Sequence, residues 1–167
     1  MPVAGESEIA LIPLDEPGLA RLLAAAVAEA DPLEVMPPVD GPEGWTDHRR
    51  EVFLAFHRRR SLDPETAIES TWVVEFDGAT VGAARLRPVS ADSALEVEAG
   101  VWLIRSIRGR GIGRRVAAVL LESARDGGAA RFVATTTVDN TAAHRLLRGT
   151  GADLDVHGAN VDARLEL

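Results

Sequence analysis

A short run of arginines and glycines, Arg108-Gly109-Arg110-Gly111-Ile112-Gly113-Arg114-Arg115, has the composition of an anion-binding loop. It separates an apolar run at 101–104 from a helical pattern at 116–121. Glycine permits sharp turns and close approach of the backbone to a ligand. Free N–H groups and the positive end of a following helix favour phosphate, and arginine adds forked donors. The order strand, loop, helix therefore predicts a phosphate site, with a solvated basic loop as the alternative.

Two common phosphate-binding motifs do not fit this loop. A P-loop requires a lysine, and the chain contains no lysine. A dinucleotide motif that started at Gly111 would end at Val116 rather than at glycine or alanine. The next apolar strand, 133–138, also lacks the acidic residue that would hold a ribose. Both classes of nucleotide site are therefore excluded.

The loop resembles the acyl-CoA site of the GNAT N-acetyltransferase superfamily. The family pattern R/Q-x-x-G-x-G/A is matched by Arg108, Gly111 and Gly113. In that family the strand before the loop splays from its neighbour, and the CoA pantetheine pairs with its exposed backbone. The cofactor-binding residues that the resemblance implies are Val101, Trp102, Leu103, Arg108, Gly109, Arg110, Gly111, Ile112, Gly113, Arg114 and Asn140. The Trp102 side chain itself is expected to be core, because tryptophans are usually well buried.

A second family motif, N-x-x-A-x-x-x-Y-x-x-x-G-[FA], follows the next strand. Its matches are Asn140, Ala143, Gly151 and Ala152. The resemblance implies that Asn140 orients the cofactor, although asparagine is also a favoured helix N-cap. The resemblance to the family is clearest over 71–157. Over the first 60 residues it extends only to the order of the secondary-structure elements.

The chain departs from this motif at Leu147, where the family usually has tyrosine. That tyrosine protonates the departing CoA thiolate, and the chain contains no tyrosine. A thiol pKa of about 8.5 makes the thiolate a fair leaving group without an acid. His144, one turn earlier, is a candidate replacement, with a solvated surface histidine as the alternative.

Two carboxylates precede the loop on one strand. Glu96 and Glu98 alternate with apolar residues and so share one face. Glu98 lies ten residues before Arg108, where many family members carry a glutamate that draws the amine proton. Burial under substrate is expected to raise its pKa. Glu98 is therefore the first candidate base and Glu96 the second, against two solvated carboxylates on an exposed face.

The acceptor is expected to contact the segment 31–66. Its acidic residues are Glu34, Asp40, Glu43, Asp47 and Glu51. They would suit a cationic amine, although a mixed, solvated helical surface is the alternative. The phrase Glu98-x-Gly100-x-Trp102 is similar to the ribosomal-protein branch of the superfamily. A small amine and a protein N-terminus are both open as acceptors.

Composition narrows the class of protein. A length of 167 residues with 46% hydrophobic residues predicts one domain, 1–167. No apolar run approaches the ~20 residues of a membrane span, and the start lacks a signal-peptide pattern, so a cytoplasmic location is expected. The net charge of -8 argues against nucleic acid. The absence of cysteine excludes a thiol nucleophile, and the four histidines show no metal-ligand spacing.

Hydrophobic periodicity predicts a mixed α/β fold in the order β-α-α-β-β-β-α-β-α-β-β. Strands are expected at 9–14, 71–76, 80–86, 95–104, 131–138, 152–157 and 161–167. Helices are expected at 17–30, 46–60, 112–126 and 140–148, with a loop at 31–45 and a turn at 88–92. This order is that of the GNAT fold, a splayed mixed sheet with helices on both faces.

The resemblance implies an acyl-CoA-dependent N-acyltransferase that uses acetyl-CoA as cosubstrate. A primary amine would attack the thioester directly in a ternary complex, without a metal and without an acyl-enzyme on cysteine. The alternative is an acyl-CoA-binding sensor with little or no transferase activity. Homodimers are common in the superfamily, and the terminal hairpin offers an edge for one.

Overall fold

The computed structural model describes residues 7–91 and 94–167. The strands are β1 Ile9–Pro13, β2 Ser70–Phe76, β3 Ala79–Ala91, β4 Ala94–Leu103, β5 Arg131–Thr137, β6 Asp153–His157 and β7 Asn160–Glu166. The helices are α1 Glu16–Glu29, α2 Pro32–Val35, α3 Asp47–His57, α4 Ile112–Asp126 and α5 Thr141–Gly149. The fold class and the position of each expected strand and helix are confirmed.

The described strands form one mixed sheet in the order β1-β2-β3-β4-β5-β7-β6. β4 and β5 are parallel, and the other neighbours are antiparallel. Asp77 and Gly78 form the β2–β3 turn with φ of 49° and 81°, which is the geometry of a tight two-residue hairpin. β1 is an edge strand, as Pro13 predicted.

Helices cover both faces of the sheet. One core cluster joins α4 to the sheet through Val116, Leu120 and their neighbours. The other joins α1, α2 and α3 through Leu19, Leu22 and Phe53. Neighbouring residues of β3 supply opposite clusters, because successive strand side chains point to opposite faces. Trp102 is partly buried against both clusters, in agreement with its expected place in the core.

The segment between the first two long helices is more regular than expected. The expected loop contains α2, which begins with a capping box between Asp31 and Glu34. Buried Arg49 donates hydrogen bonds to the carbonyls of Val39, Pro42 and Gly44, and so fixes the rest of the loop. The second long helix ends at His57 and continues as a π-helical turn over 58–62.

The expected turn around Pro88 is wrong. β3 continues through Pro88, which pairs with Val97 of β4. β2 ends opposite Leu86, so residues beyond it have an open edge, where proline is tolerated. The remaining part of the predicted turn, at 92–93, lies outside the described residues.

The parallel pair β4–β5 separates partway along its length. The two strands pair only from Glu96 to Glu98 on β4 and from Arg131 to Val133 on β5. β4 continues to Leu103 while still paired with β3 on its other side. The β5 side of residues 99–103 therefore has no strand partner, and Val101 is 42% exposed in the middle of the sheet. The expected splay is present.

Among the described residues, no helix is both long enough and apolar enough to cross a bilayer.

Candidate active site

The Gly-rich loop leads from β4 into the N-terminus of α4. Gly109 and Gly111 adopt φ of 74° and 78°, and a Cβ on either would meet nothing within 4 Å. Gly111 is the N-cap and offers no side-chain cap. The first N–H groups of a helix have no intrahelical partner, and open space lies beside Gly111 at the start of α4. The loop can therefore accept an anion on its backbone, as expected for a phosphate site.

Gly113 serves packing rather than backbone freedom. A Cβ there would lie 3.1 Å from Leu146 of α5 and 3.7 Å from Leu103 of β4. The lack of a side chain brings α4 close to α5 and to the end of β4. The two glycines of the family pattern thus have different roles. Gly111 permits the turn, and Gly113 permits the close contact of α4 with α5 and β4.

The arginines of the loop differ in their surroundings. Arg108 donates to the carboxylate of Glu34 and to the carbonyl of Leu103. Its hydrogen bonds lower the pKa of Glu34, against the raising effect of partial burial. Arg110 lies over the ring of Phe76, 5.3 Å from its centroid. Arg108 therefore ties α2 to the loop, and its expected contact with a pyrophosphate stays a prediction.

The downstream motif lies beside this loop. Asn140 caps α5 by accepting a hydrogen bond from the N–H of Ala143, so its capping role is present and its contact with a cofactor stays a prediction. His144 Nε2 lies 2.9 Å from the carbonyl oxygen of Thr137. Leu147 is 7% exposed and faces the core. The position of the family tyrosine is therefore an apolar contact here.

A cleft of about 500 Å³ opens on the face of the sheet that carries α3. Its lining comes from three sources: the segment 33–37, the end of α3, and the central strands including Thr135 of β5. Its lining along β4 runs from Glu98 to Trp102, which is the stretch of the splay. The cleft and the gap between β4 and β5 therefore meet at the same residues.

Glu98 lines this cleft within a row of alternating charges. The row contains Arg60, Glu69, Arg85, Glu98 and Arg87, joined by contacts of 2.9–3.3 Å. Burial acts to raise the pKa of Glu98, but hydrogen bonds from Arg87 and Arg85 outweigh it and lower the pKa. The rise expected from burial under a substrate stays a prediction, and the sequence did not show that two arginines of β3 contact Glu98.

Glu96 lies farther down the same face, where β4 and β5 are still paired. Its carboxylate accepts a hydrogen bond from Arg131 at 3.1 Å, and it does not belong to the cleft lining. The structure thus favours Glu98 over Glu96 as the residue beside a reacting amine. The exposed-face alternative is also inaccurate, because both carboxylates are partly buried in ion pairs.

The acidic residues of the 31–66 segment do not form a wall of the cleft, in agreement with the alternative of a mixed, solvated surface. Of the acidic residues of the 31–66 segment, only Glu34 lines the cleft, and it is paired with Arg108. The side chains that this segment contributes are mainly apolar or basic, among them Val35, Met36, Phe56 and Arg60. The segment does line the cleft, but its charged lining residues, Glu34 and Arg60, balance and give no preference for a cationic acceptor.

His57 is a cleft residue that the sequence reasoning missed. It is 5% exposed and packs edge-on against Phe53, with ring centroids 4.6 Å apart. Neither ring nitrogen has a hydrogen-bond partner among the described residues. Burial, assisted by Arg60 and Arg85 against the opposing effect of Glu69, lowers its pKa to about 4. The imidazole is therefore neutral near pH 7. Its place on an otherwise apolar helix face was the available signal.

This histidine predicts a pH-dependent stability. Its pKa is lower in the folded chain than in the unfolded chain, so its contribution is intact above pH 6.5 and is lost as the pH falls towards 4. Between pH 7 and pH 5 the free energy of unfolding should fall by about 2 kcal/mol. His57→Phe should lack this decrease, as measured by urea denaturation at both pH values. A decrease of equal size in His57→Phe would contradict the assignment.

Comparison with known proteins places this chain in one class, the acetyltransferases of the GNAT type. The family model described as "Acetyltransferase (GNAT) family" matches residues 19–152. The chain belongs to this family. None of the curated protein sequences compared with the chain matches it.

Solved structures share the whole fold at low identity. RimJ from Mycobacterium smegmatis, in complex with CoA-disulfide, has a TM-score of 0.77 and 20% identity over 95% of this chain and 81% of that chain. RimL, a ribosomal L7/L12 α-N-protein acetyltransferase in complex with coenzyme A, gives 0.65 and 18% over 95% and 94%. The yncA protein from Salmonella typhimurium, with acetyl-CoA, gives 0.65 and 20% over 95% and 94%. At these identities the likeness establishes the fold alone.

Within the described part of the chain, no group of three or more His, Cys, Asp or Glu side chains is placed to hold a metal ion.

Proposed function

We propose that the protein is an N-acetyltransferase that transfers the acetyl group of acetyl-CoA to a primary amine. The observation that carries the proposal is the β4–β5 splay, which joins the open loop at 108–113 to the cleft beside Glu98. The loop suits a pyrophosphate, and the unpaired side of 99–103 suits an extended chain of amides. The cleft then receives the amine from the opposite side.

The reaction is a direct transfer in a ternary complex. The amine nitrogen forms a bond to the thioester carbonyl carbon, the C–S bond breaks, and the sulfur leaves as thiolate. Unpaired N–H groups of β4 polarise the carbonyl and hold the developing oxyanion. The amine proton passes to Glu98. Because Arg85 and Arg87 keep the pKa of this carboxylate low, it is ionised at neutral pH and hands the proton on to water.

The leaving thiolate has no tyrosine to protonate it. Leu147 is buried at that position, and a thiol pKa near 8.5 allows departure as the anion. His144 is the available donor on α5, and its Nε2 already contacts the Thr137 carbonyl. We therefore assign it at most a secondary role as general acid.

The test is acetyl-CoA-dependent release of free thiol over a panel of amines. The panel contains amino acids, amino acid amides, peptides, polyamines and aminoglycosides. We expect at least one class to release thiol well above the rate of acetyl-CoA hydrolysis, with the N-acetylated product identified by mass spectrometry. Tight acetyl-CoA binding with no transfer to any class would instead support the second candidate, a CoA-binding sensor, which the apolar Leu147 favours.

Two further features stay predictions. One is a cytoplasmic location. The other is a homodimer: β6 is the edge strand of the sheet, and Val156 on it is 63% exposed. Size-exclusion chromatography with light scattering tests the second.

A further inference from the structure

Arg85 lines the cleft and has one guanidinium edge without a hydrogen-bond partner among the described residues. Its Nη1 donates to both Glu69 and Glu98, at 3.3 and 3.1 Å. Its Nε and Nη2 have no hydrogen-bond partner among the described residues, and its side chain is 32% exposed. These two N–H groups form the fork that binds a carboxylate through two parallel hydrogen bonds. Two glutamates hold the arginine in place while its other edge stays free.

The position of Arg85 depends on Gly100. The two residues face each other across β3 and β4, and a Cβ on Gly100 would lie 2.7 Å from Nε of Arg85. The guanidinium therefore lies across β4 where β4 has no side chain, next to Val101. This is the stretch at which β4 has left β5. An anion bound by Arg85 would lie close to the site of acyl transfer.

The charged row beside the cleft has one excess positive charge, because the remaining carboxylate of the lining, Glu34, is already neutralised by Arg108. The row beside the cleft contains three arginines and two glutamates, Arg60, Arg85, Arg87, Glu69 and Glu98. Its excess positive charge disfavours a polyamine. A carboxylate would neutralise that excess, and a neutral carboxamide would not.

A second polar group in the cleft is also unpaired. His57 is 95% buried, and both of its ring nitrogens lack a partner among the described residues. A buried polar group without a hydrogen bond is costly, and its presence points to a missing partner. A neutral imidazole can accept a hydrogen bond from an amine N–H or donate one to a carboxylate. The surrounding lining includes Met36, Phe56 and Trp102, which suit an apolar side chain.

We propose that the acceptor is a free amino acid with an apolar side chain. Its carboxylate is bound by the free edge of Arg85, and its amine lies beside Glu98. This inference rests on the proposed N-acetyltransferase function. A peptide N-terminus fits less well, because its first residue carries an amide in place of the carboxylate.

The test measures binding separately from turnover. L-Methionine and L-methioninamide are titrated into the CoA-saturated protein by calorimetry. We expect the acid to bind at least tenfold more tightly than the amide. Arg85→Lys keeps a positive charge between Glu69 and Glu98 but loses the fork, so it should bind the acid at least tenfold more weakly and the amide almost unchanged. Gly100→Ala, which displaces the guanidinium, should have the same effect.

The control is Arg131→Lys. Arg131 is also a strand arginine held by two carboxylates, those of Glu96 and Glu166, but it does not line the cleft. The Arg131→Lys variant should keep the wild-type preference for L-methionine over L-methioninamide. Equal binding of acid and amide, no binding of either, or an unchanged preference in Arg85→Lys would each overturn the inference. Thiol release with peptides or polyamines but not with amino acids would overturn it too, while leaving the N-acetyltransferase function standing.

A lack of thiol release from every amine, with selective binding of L-methionine retained, would overturn the enzyme function and leave the carboxylate site in place. The binding and turnover measurements therefore separate the two proposals.

Discussion

Replacing Gly111 with glutamate is expected to lower the affinity for acetyl-CoA at least 100-fold, as measured by calorimetry. The new carboxylate would project into the open space over the loop and add a negative charge where the backbone N–H groups face a pyrophosphate. A carboxylate at a helix N-terminus also competes directly for those N–H groups. The substitution therefore removes both the space and the charge complementarity of the site.

The chain offers a matched control in Gly128. Gly128 has φ of 81°, against 78° for Gly111, and a Cβ at either position meets nothing within 4 Å. Both substitutions place glutamate in a left-handed conformation, at a cost of about 1 kcal/mol, and both change the net charge equally. Gly128 lies just beyond the C-terminal end of α4, where a negative charge is unfavourable for the helix. Gly128→Glu should nevertheless bind acetyl-CoA like the wild type.

The comparison separates affinity from stability. Thermal unfolding should show Gly111→Glu to be at least as stable as Gly128→Glu. Wild-type affinity in Gly111→Glu would contradict the assignment of the loop, and a similar loss in Gly128→Glu would attribute the effect to strain. Gly113→Glu should also abolish binding, but its Cβ would press on Leu146, so it is the less informative variant.

The second large effect is expected for Glu98→Gln, which should reduce kcat about 100-fold, the usual contribution of a positioned proton acceptor. Glutamine has nearly the same shape, but its side chain cannot accept the amine proton. It also leaves Arg85 and Arg87 without a shared negative partner. The KM for acetyl-CoA should change little, because the loop proposed to bind the pyrophosphate is separate from the charged row.

Glu96→Gln is the control for this prediction. Glu96 is on the same strand and the same face, and it also pairs with an arginine, Arg131. Unlike Glu98, it does not line the cleft, so the turnover of Glu96→Gln should stay within about twofold of the wild type. Equal losses in the two variants would assign the effect to strand stability, and unchanged turnover in Glu98→Gln would remove that residue from the mechanism.

The sequence was sufficient for the local features. The Asp77-Gly78 turn, the Asn140 cap and the glycine loop before α4 depend on backbone conformations that particular residue types favour. Their order along the chain, with the two spaced motifs, was enough to identify the GNAT family. Such features can be predicted from the sequence because the residues that form them are neighbours along the chain.

Other features depended on partners distant in sequence. Pro88 was read as a turn because proline often breaks strands, and only the end of β2 opposite Leu86 explains why it is tolerated within β3. Asp31 and Glu34 form the capping box that begins α2 inside the expected loop, and the carboxylate of Glu34 is paired with Arg108. The carboxylates of that segment form no acidic wall, because only Glu34 lines the cleft and it is paired with Arg108.

The chemistry beside Glu98 was decided by the register between β3 and β4. That register sets Arg87 opposite Glu98 and Arg85 opposite Gly100, and hydrogen bonds from both arginines lower the pKa of Glu98. The sequence by itself determined the family, the strand–loop–helix order around the glycine loop and the face that carries Glu98. The tertiary structure decided the charge of the acceptor cleft, because electrostatic interactions depend on distances across strands, and these distances are fixed only when the sheet is assembled.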